Sequence, residues 1–259
     1  MHRSTFALAT LIAMAACSKP ADKAAQAADS TAAPAAAAAP APPPPAHQAI
    51  VTVIYKWPKS PAAFEKYYPT HLKIVGDGQA EIGFTKAELT KFTTSIDGKK
   101  AEFYRQAELY FPSLDAAKKG MATDAFKKVG DDFGKFATGG LIGMVAVETG
   151  DKSDTPCPAL VTVIYHQPKD GAAFESYYPT HLKIVGDGQA EIGFVRADLT
   201  KFDSNVDGSA PAEYRQAELC FPSMDALKKG IATPAFKKVG DDFKNFATGG
   251  LTGLIGQQK

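Results

Sequence analysis

The sequence predicts an α+β protein in which two copies of one βαββαβ unit close into a single intramolecular barrel. Three observations carry that expectation. Residues 51–146 align without a gap on residues 161–256 at a constant offset of 110, with about 68 of the 96 positions identical, so one small domain has been duplicated in tandem. Within each copy, short β-branched runs alternate with stretches of helical periodicity in the order strand, helix, strand, strand, helix, strand. The link at residues 148–159 reaches about 40 Å when extended, enough for the second copy to dock on the first.

The elements follow in order. From Ile50 to Tyr55 the chain reads Ile-Val-Thr-Val-Ile-Tyr, matched by Leu160 to Tyr165, and both runs fit buried strands. Next, Phe64, Tyr68, Leu72 and Val75 fall on one face at helical spacing, and Pro69 is expected to end or kink that helix. After a Gly-rich passage at 76–79, a strand is expected near residues 82–92. Asp97-Gly98 and Asp207-Gly208 signal hairpins, leading into a strand at 104–111. Helical sequence then runs from Leu114 to Phe136 with an interruption near 120–123. The last strand covers 141–147. This order is the ferredoxin-like unit, an antiparallel sheet with both helices on one face. Standing alone it leaves its other face uncovered; two units would close sheet against sheet.

The chain has 259 residues, 45% of them hydrophobic and 22% charged, but its first 48 are of another kind. Residues 1–16 combine a short basic start, an apolar run from Phe6 and small residues before Cys17, the layout of a secretory signal. Met14-Ala15-Ala16-Cys17 resembles a bacterial lipobox, which makes Cys17 the expected lipidation site (palmitate among its acyl chains). By resemblance to Gram-negative lipoproteins, Ser18 after the cysteine favours the periplasmic face of the outer membrane. Residues 17–48, rich in Ala and Pro, have the composition of a tether. Repeat 1 is then expected at 49–147 and repeat 2 at 160–259.

Cleavage after Ala16 would remove Arg3 and no acid, leaving 28 basic residues against 28 acidic. Nucleic-acid binding, which requires a concentrated basic surface, is not expected. A duplicated unit that pairs with itself supplies its own interface, so the expected state is a monomer with an internal pseudo-dimer.

Val-Thr-Val-Ile-Tyr, then Phe64-x-x-Tyr-Tyr-Pro-Thr-His71-Leu72, and later Ala107-Glu-Leu-Tyr-Phe-Pro-Ser113 resemble the EthD-domain family, named for ethyl tert-butyl ether degradation. The resemblance covers both repeats. It implies the dimeric α+β barrel fold, and a family whose members are often labelled reductases or degradation proteins.

The two copies have diverged unevenly: Tyr67 to Phe84 equals Tyr177 to Phe194 throughout. That run points to Tyr67, Tyr68, His71, Asp77 and Gln79, with Tyr177, Tyr178, His181, Asp187 and Gln189, as the place for a site. His71 and His181 titrate near neutrality and can act as acid, base or ligand, or can instead order the helix end by bonding a carbonyl. Tyr67, Tyr68, Gln79, Tyr177, Tyr178 and Gln189 are the expected ligand-binding groups. On the strand at 104–111, alternation sends Arg105, Ala107, Leu109 and Phe111 to the helices. Tyr104, Gln106, Glu108 and Tyr110 would face the barrel interior. Glu108 and Glu218 are thus either semi-enclosed acid–base groups with raised pKa values or members of a structural hydrogen-bond network.

Metal and cofactor signals are poor: the sequence has no His-x-x-x-His, no Cys-x-x-Cys and no phosphate loop. No cofactor is expected, and haem on His71 or His181 is the alternative that the wider superfamily implies. Cys157 precedes the first strand of copy two and Cys220 ends its third. First and third strands are antiparallel neighbours in this topology, so a Cys157–Cys220 disulfide is expected in an exported protein.

Three functions compete. One is a module that binds a small, partly apolar organic molecule. Another is an EthD-type enzyme, an oxidoreductase or degradation enzyme using His71 and His181 as acid–base with Tyr or Glu as partner. The third is a structural envelope protein.

Overall fold

In the computed structural model, residues 48–150 and 157–258 are described. The expected signal segment, Cys17, the tether up to residue 47 and the middle of the link lie outside them.

The first half runs β1 (Ala49–Lys56), α1 (Pro61–Asp77), α2 (Gln79–Ile82), β2 (Lys86–Ser95), β3 (Phe103–Phe111), α3 (Leu114–Met121), α4 (Asp124–Asp132) and β4 (Leu141–Glu148). The second half repeats it with β5 (Ala159–His166), α5 (Gly171–Asp187), α6 (Gln189–Ile192), β6 (Arg196–Asn205), β7 (Glu213–Phe221), α7 (Met224–Ile231), α8 (Pro234–Asp242) and β8 (Leu251–Gln258). A 3₁₀ turn follows α4 at Phe133–Lys135 and α8 at Phe243–Asn245.

All eight strands form one closed antiparallel barrel in the order β1-β3-β2-β8-β5-β7-β6-β4. The two sheets do not merely face each other. Their edges pair: β2 with β8, as in Thr90 opposite Gln258, and β4 with β6, as in Val147 opposite Lys201. Closure leaves no row of unpaired backbone groups at a sheet edge. The inner faces share a core that mixes both halves, with Ile50, Ile54, Phe92 and Met144 from the first against Ile164, Phe202 and Leu254 from the second.

The opposite face of each sheet carries the helices. Ser60 caps α1 by accepting from the Ala63 amide, Pro61 begins the helix, and Phe64, Tyr68 and His71 form its buried face. The expected break at Pro69 does not occur: α1 continues to Asp77 with Pro69 inside it. Pro69 sits on the exposed side of the helix, where the missing hydrogen bond is borne by solvent rather than by the core. The strand expected from residue 82 begins later, because Gln79–Ile82 closes as a short helix that Gly83 terminates at φ 82°. The second helical region is interrupted where the sequence placed the break, at Ala122–Thr123, and Thr123 caps α4.

One departure reshapes the outer face. The β1–β3 ladder slips between Tyr55, opposite Arg105, and Lys56, opposite Phe103. Tyr104 is thereby displaced from strict alternation. Its ring packs on Phe64 and its hydroxyl bonds Glu65, so it lies on the helix side and not in the interior. Tyr214 repeats the arrangement with Phe174 and Glu175.

Candidate functional site

Between the helices and the outer face of the first half lies a cavity of about 470 Å³, walled almost entirely by aliphatic and aromatic side chains. Tyr55 from β1, Tyr68 and His71 from α1, and Gln79 from α2 bring the polar atoms to it. A counterpart of about 230 Å³ in the second half presents Tyr165, Tyr178, His181 and Gln189.

His71 is 2% exposed. Its Nδ1 lies 2.9 Å from Oδ2 of Asp132, at the end of α4. The other carboxylate oxygen accepts from the Tyr67 hydroxyl at 2.8 Å and pairs with Lys135 at 3.0 Å. Burial opposes the charge on Asp132, but the His71, Lys135 and Tyr67 hydrogen bonds outweigh it and hold the carboxyl below its ordinary value. Burial also pushes the His71 pKa down, and Asp132 offsets only part of that. A neutral imidazole that satisfies the carboxylate carries its proton on Nδ1, which leaves Nε2 as an acceptor. The second half repeats the pair as His181 and Asp242 at 2.8 Å, with Tyr177 donating to Asp242 and Asn245 standing in for Lys135. There, Nε2 of His181 is 3.5 Å from the Tyr165 hydroxyl.

Tyr68 lies beside this imidazole, its ring 6.1 Å away and the Arg105 guanidinium 4.9 Å from its own centroid. Arg105 is fixed by Glu65. Despite burial, that carboxyl is held at about 2 by hydrogen bonds from Arg105, Lys91 and Tyr104. The Tyr68 hydroxyl is buried beside the Tyr55 phenol without a well-formed hydrogen bond, and Tyr178 beside Tyr165 repeats this. Burial raises the Tyr68 phenol to about 12, and raises Tyr55 as well, where the neighbouring Tyr68 adds to the effect. Both are neutral donors at physiological pH. Gln79 also lines the cavity while donating to the Phe84 carbonyl at 3.2 Å.

Of the residues expected to form the site, His71, Tyr68 and Gln79 meet at the first cavity, and His181, Tyr178 and Gln189 at the second. Tyr67 and Tyr177 do not line the cavities; they brace the aspartates. Asp77 and Asp187 pair with Lys73 and Lys183 on the exposed side of their helices. Glu108 and Glu218 lie inside the barrel, on the other face of the sheet, so they are not partners of the histidines. Gln106 donates to Glu218 and Gln216 to Glu108, each at 3.1 Å, and Thr162 adds a bond to Glu218 at 3.0 Å. Burial and then the Glu88 charge raise Glu108 to about 8; burial and then Glu108 raise Glu218 well above its ordinary value. The partner that sequence reasoning missed is Asp132, with Asp242. Its trace was there, in the identical run from Val129 to Phe133 and from Val239 to Phe243.

Cys157 and Cys220 form the expected disulfide. Among the described residues, no group of three or more His, Cys, Asp or Glu side chains is arranged to hold a metal ion.

Comparison with known proteins places this geometry in a family. The EthD domain matches residues 56–140. An uncharacterized 11.0 kDa protein from the thcB-thcC intergenic region of Rhodococcus erythropolis is 35% identical over 96 residues, which is 37% of this chain and 89% of that protein. The crystal structure of an ethyl tert-butyl ether degradation (EthD) family protein from Bacillus halodurans C-125 is similar at 25% identity, over 41% of this chain and 99% of that one, with a TM-score of 0.35. An anthrone oxidase-like protein shares the fold over 82% of this chain and 92% of its own, at 14% identity and a TM-score of 0.58. The fold is thus an eight-stranded α+β barrel like that of the anthrone oxidase-like protein, and the chain belongs to the EthD family.

Proposed function

We propose that this protein binds a small, partly apolar organic molecule in the cavity at His71, its apolar body against the aliphatic wall and one polar group at Tyr68, Tyr55 and His71. The observation that carries the reading is the Tyr68 hydroxyl. A buried donor without a well-formed hydrogen bond costs about 1–3 kcal/mol, yet this one stands beside a cavity whose volume suits a ligand. A ligand acceptor within reach would supply the missing bond. Native mass spectrometry and an absorption spectrum of protein purified from its own host test this. A bound small molecule that is lost in His71→Ala supports it. If nothing co-purifies and the substitution leaves binding and any turnover unchanged, the reading fails.

The His71–Asp132 pair favours a second reading, acid–base catalysis. Nε2 would take a proton from a bound substrate while Asp132 stabilises the imidazolium formed, and the same nitrogen would return it. Such turnover would require neutral His71, so it should decline on acidification below the ordinary histidine range.

Haem fits these residues less well. His71 would offer Nε2 as an axial ligand, but none of the residues lining either cavity is Arg or Lys, which would neutralise the propionates. We also read the two halves as tandem EthD-like, ferredoxin-like repeats, monomeric, and held by a lipid on Cys17 at the periplasmic face of the outer membrane. The repeat identity and the lipobox-like residues 14–17 support this. Release from membranes in Cys17→Ser would be the expected result.

A further inference from the structure

We infer that a single position on the hairpin contributed by the opposite half, Val206 for the first cavity and Ile96 for the second, sets the size of molecule each cavity admits. The inference rests on the binding reading above and adds that the two sites are not equivalent.

The cavities differ in volume about twofold, 470 Å³ against 230 Å³. Their walls hardly differ at all. Twenty of the twenty-one residues lining the first cavity recur as the same amino acid 110 positions away in the other copy; the exception is Val206, whose counterpart is Ile96. Both are seated identically by the backbone. The Val206 amide donates to the Gly143 carbonyl at 3.0 Å, and the Ile96 amide to the Gly253 carbonyl at 3.0 Å. At the lining itself, this side chain is the difference between the two halves.

Ile96 reaches across the glycine that it faces. A Cβ placed on Gly253 would lie 2.5 Å from Ile96 Cδ1, whereas one on Gly143 would lie 3.0 Å from Val206 Cγ2. Ile96 is half-buried and packs on the core of the second half, while Val206 is 40% exposed. The consequence appears at the cavity mouths. The first cavity runs outward past Leu141, Gly143 and Val206. In the second half the matching Leu251 and Gly253, with Ile96, border a separate shallow groove, and the inner cavity stops at Phe243. The added methylene removes more space than its own volume because it cuts one space into two.

Two neutral probes separate the outcomes: p-cresol, a single ring, and 1-aminoanthracene, three fused rings. Each is titrated into the full chain while the imidazole resonances of His71 and His181 are followed by NMR. In the wild type, p-cresol should perturb both histidines and 1-aminoanthracene only His71. Ile96→Val should make His181 respond to 1-aminoanthracene, and Val206→Ile should weaken its binding at His71 at least tenfold, with p-cresol unchanged in both. Equal responses of the two histidines to 1-aminoanthracene in the wild type, no response to it while p-cresol binds, or no change on either exchange would overturn the inference. If neither probe perturbs either histidine, the binding reading itself fails.

Discussion

His71 and Asp132 are 61 residues apart in the chain and 2.9 Å apart in space, and His181 and Asp242 repeat the pair at 2.8 Å. One helix supplies the imidazole, a second the carboxylate, and each tyrosine four residues before the histidine binds the second carboxylate oxygen. The arrangement fixes which nitrogen carries the proton and leaves the other for chemistry or binding.

Asp132→Asn removes the charge and keeps the shape. The His71 pKa should fall further, since Asp132 is what opposes the effect of burial. Stability at neutral pH should drop by about 1–3 kcal/mol. The Asp132 carboxyl is held below its ordinary 3.8, so its contribution is present above that pH and lost as pH falls through the lower folded value. The gap between wild type and variant in urea unfolding should therefore narrow in acid, and NMR titration of His71 checks the pKa.

Glu108 and Glu218 act in the opposite direction. Both bind their protons more tightly when folded, Glu108 at about 8 against an ordinary 4.5. Their contribution is full below 4.5 and is lost as pH rises through the folded value, with a slope of up to about 1.4 kcal/mol per pH unit for each group. Glu108→Gln with Glu218→Gln keeps an acceptor for Gln216 and Gln106 but removes the titration. Between pH 5 and 8 the variant's unfolding midpoint should fall less than that of the wild type.

The Cys157–Cys220 bond closes a separation of 63 residues. Loop-closure entropy gives about 4 kcal/mol for a loop of that length. Reduction should lower the urea midpoint accordingly and expose two thiols on denaturation. No shift would mean that the bond contributes nothing to the folded state.

Much of the barrel was legible because period-two runs such as Ile50 to Tyr55 specify a face, and the repeat specifies a partner. Pro69 misled because helix-breaking rules treat proline alone, whereas the buried faces of Phe64, Tyr68 and His71 hold α1 through it. Strict alternation puts Tyr104 on the wrong side because a bulge is invisible to it. At the site, the run from Tyr67 that is identical in both copies contains the histidine, tyrosine and glutamine that line the cavity. Asp132 was missed because its role depends on how α4 packs on α1, which no local pattern encodes. Val206 was missed for a similar reason: it lines a cavity of the other half.

On the proposed function, the poorly bonded Tyr68 hydroxyl serves a ligand and not the fold. Tyr68→Phe deletes that hydroxyl alone, so thermal unfolding and 1-aminoanthracene titration of the same protein measure its two possible roles together. The variant should be as stable as the wild type or more so, with probe affinity reduced about tenfold. A variant that is less stable and binds the probe as well as the wild type would contradict it.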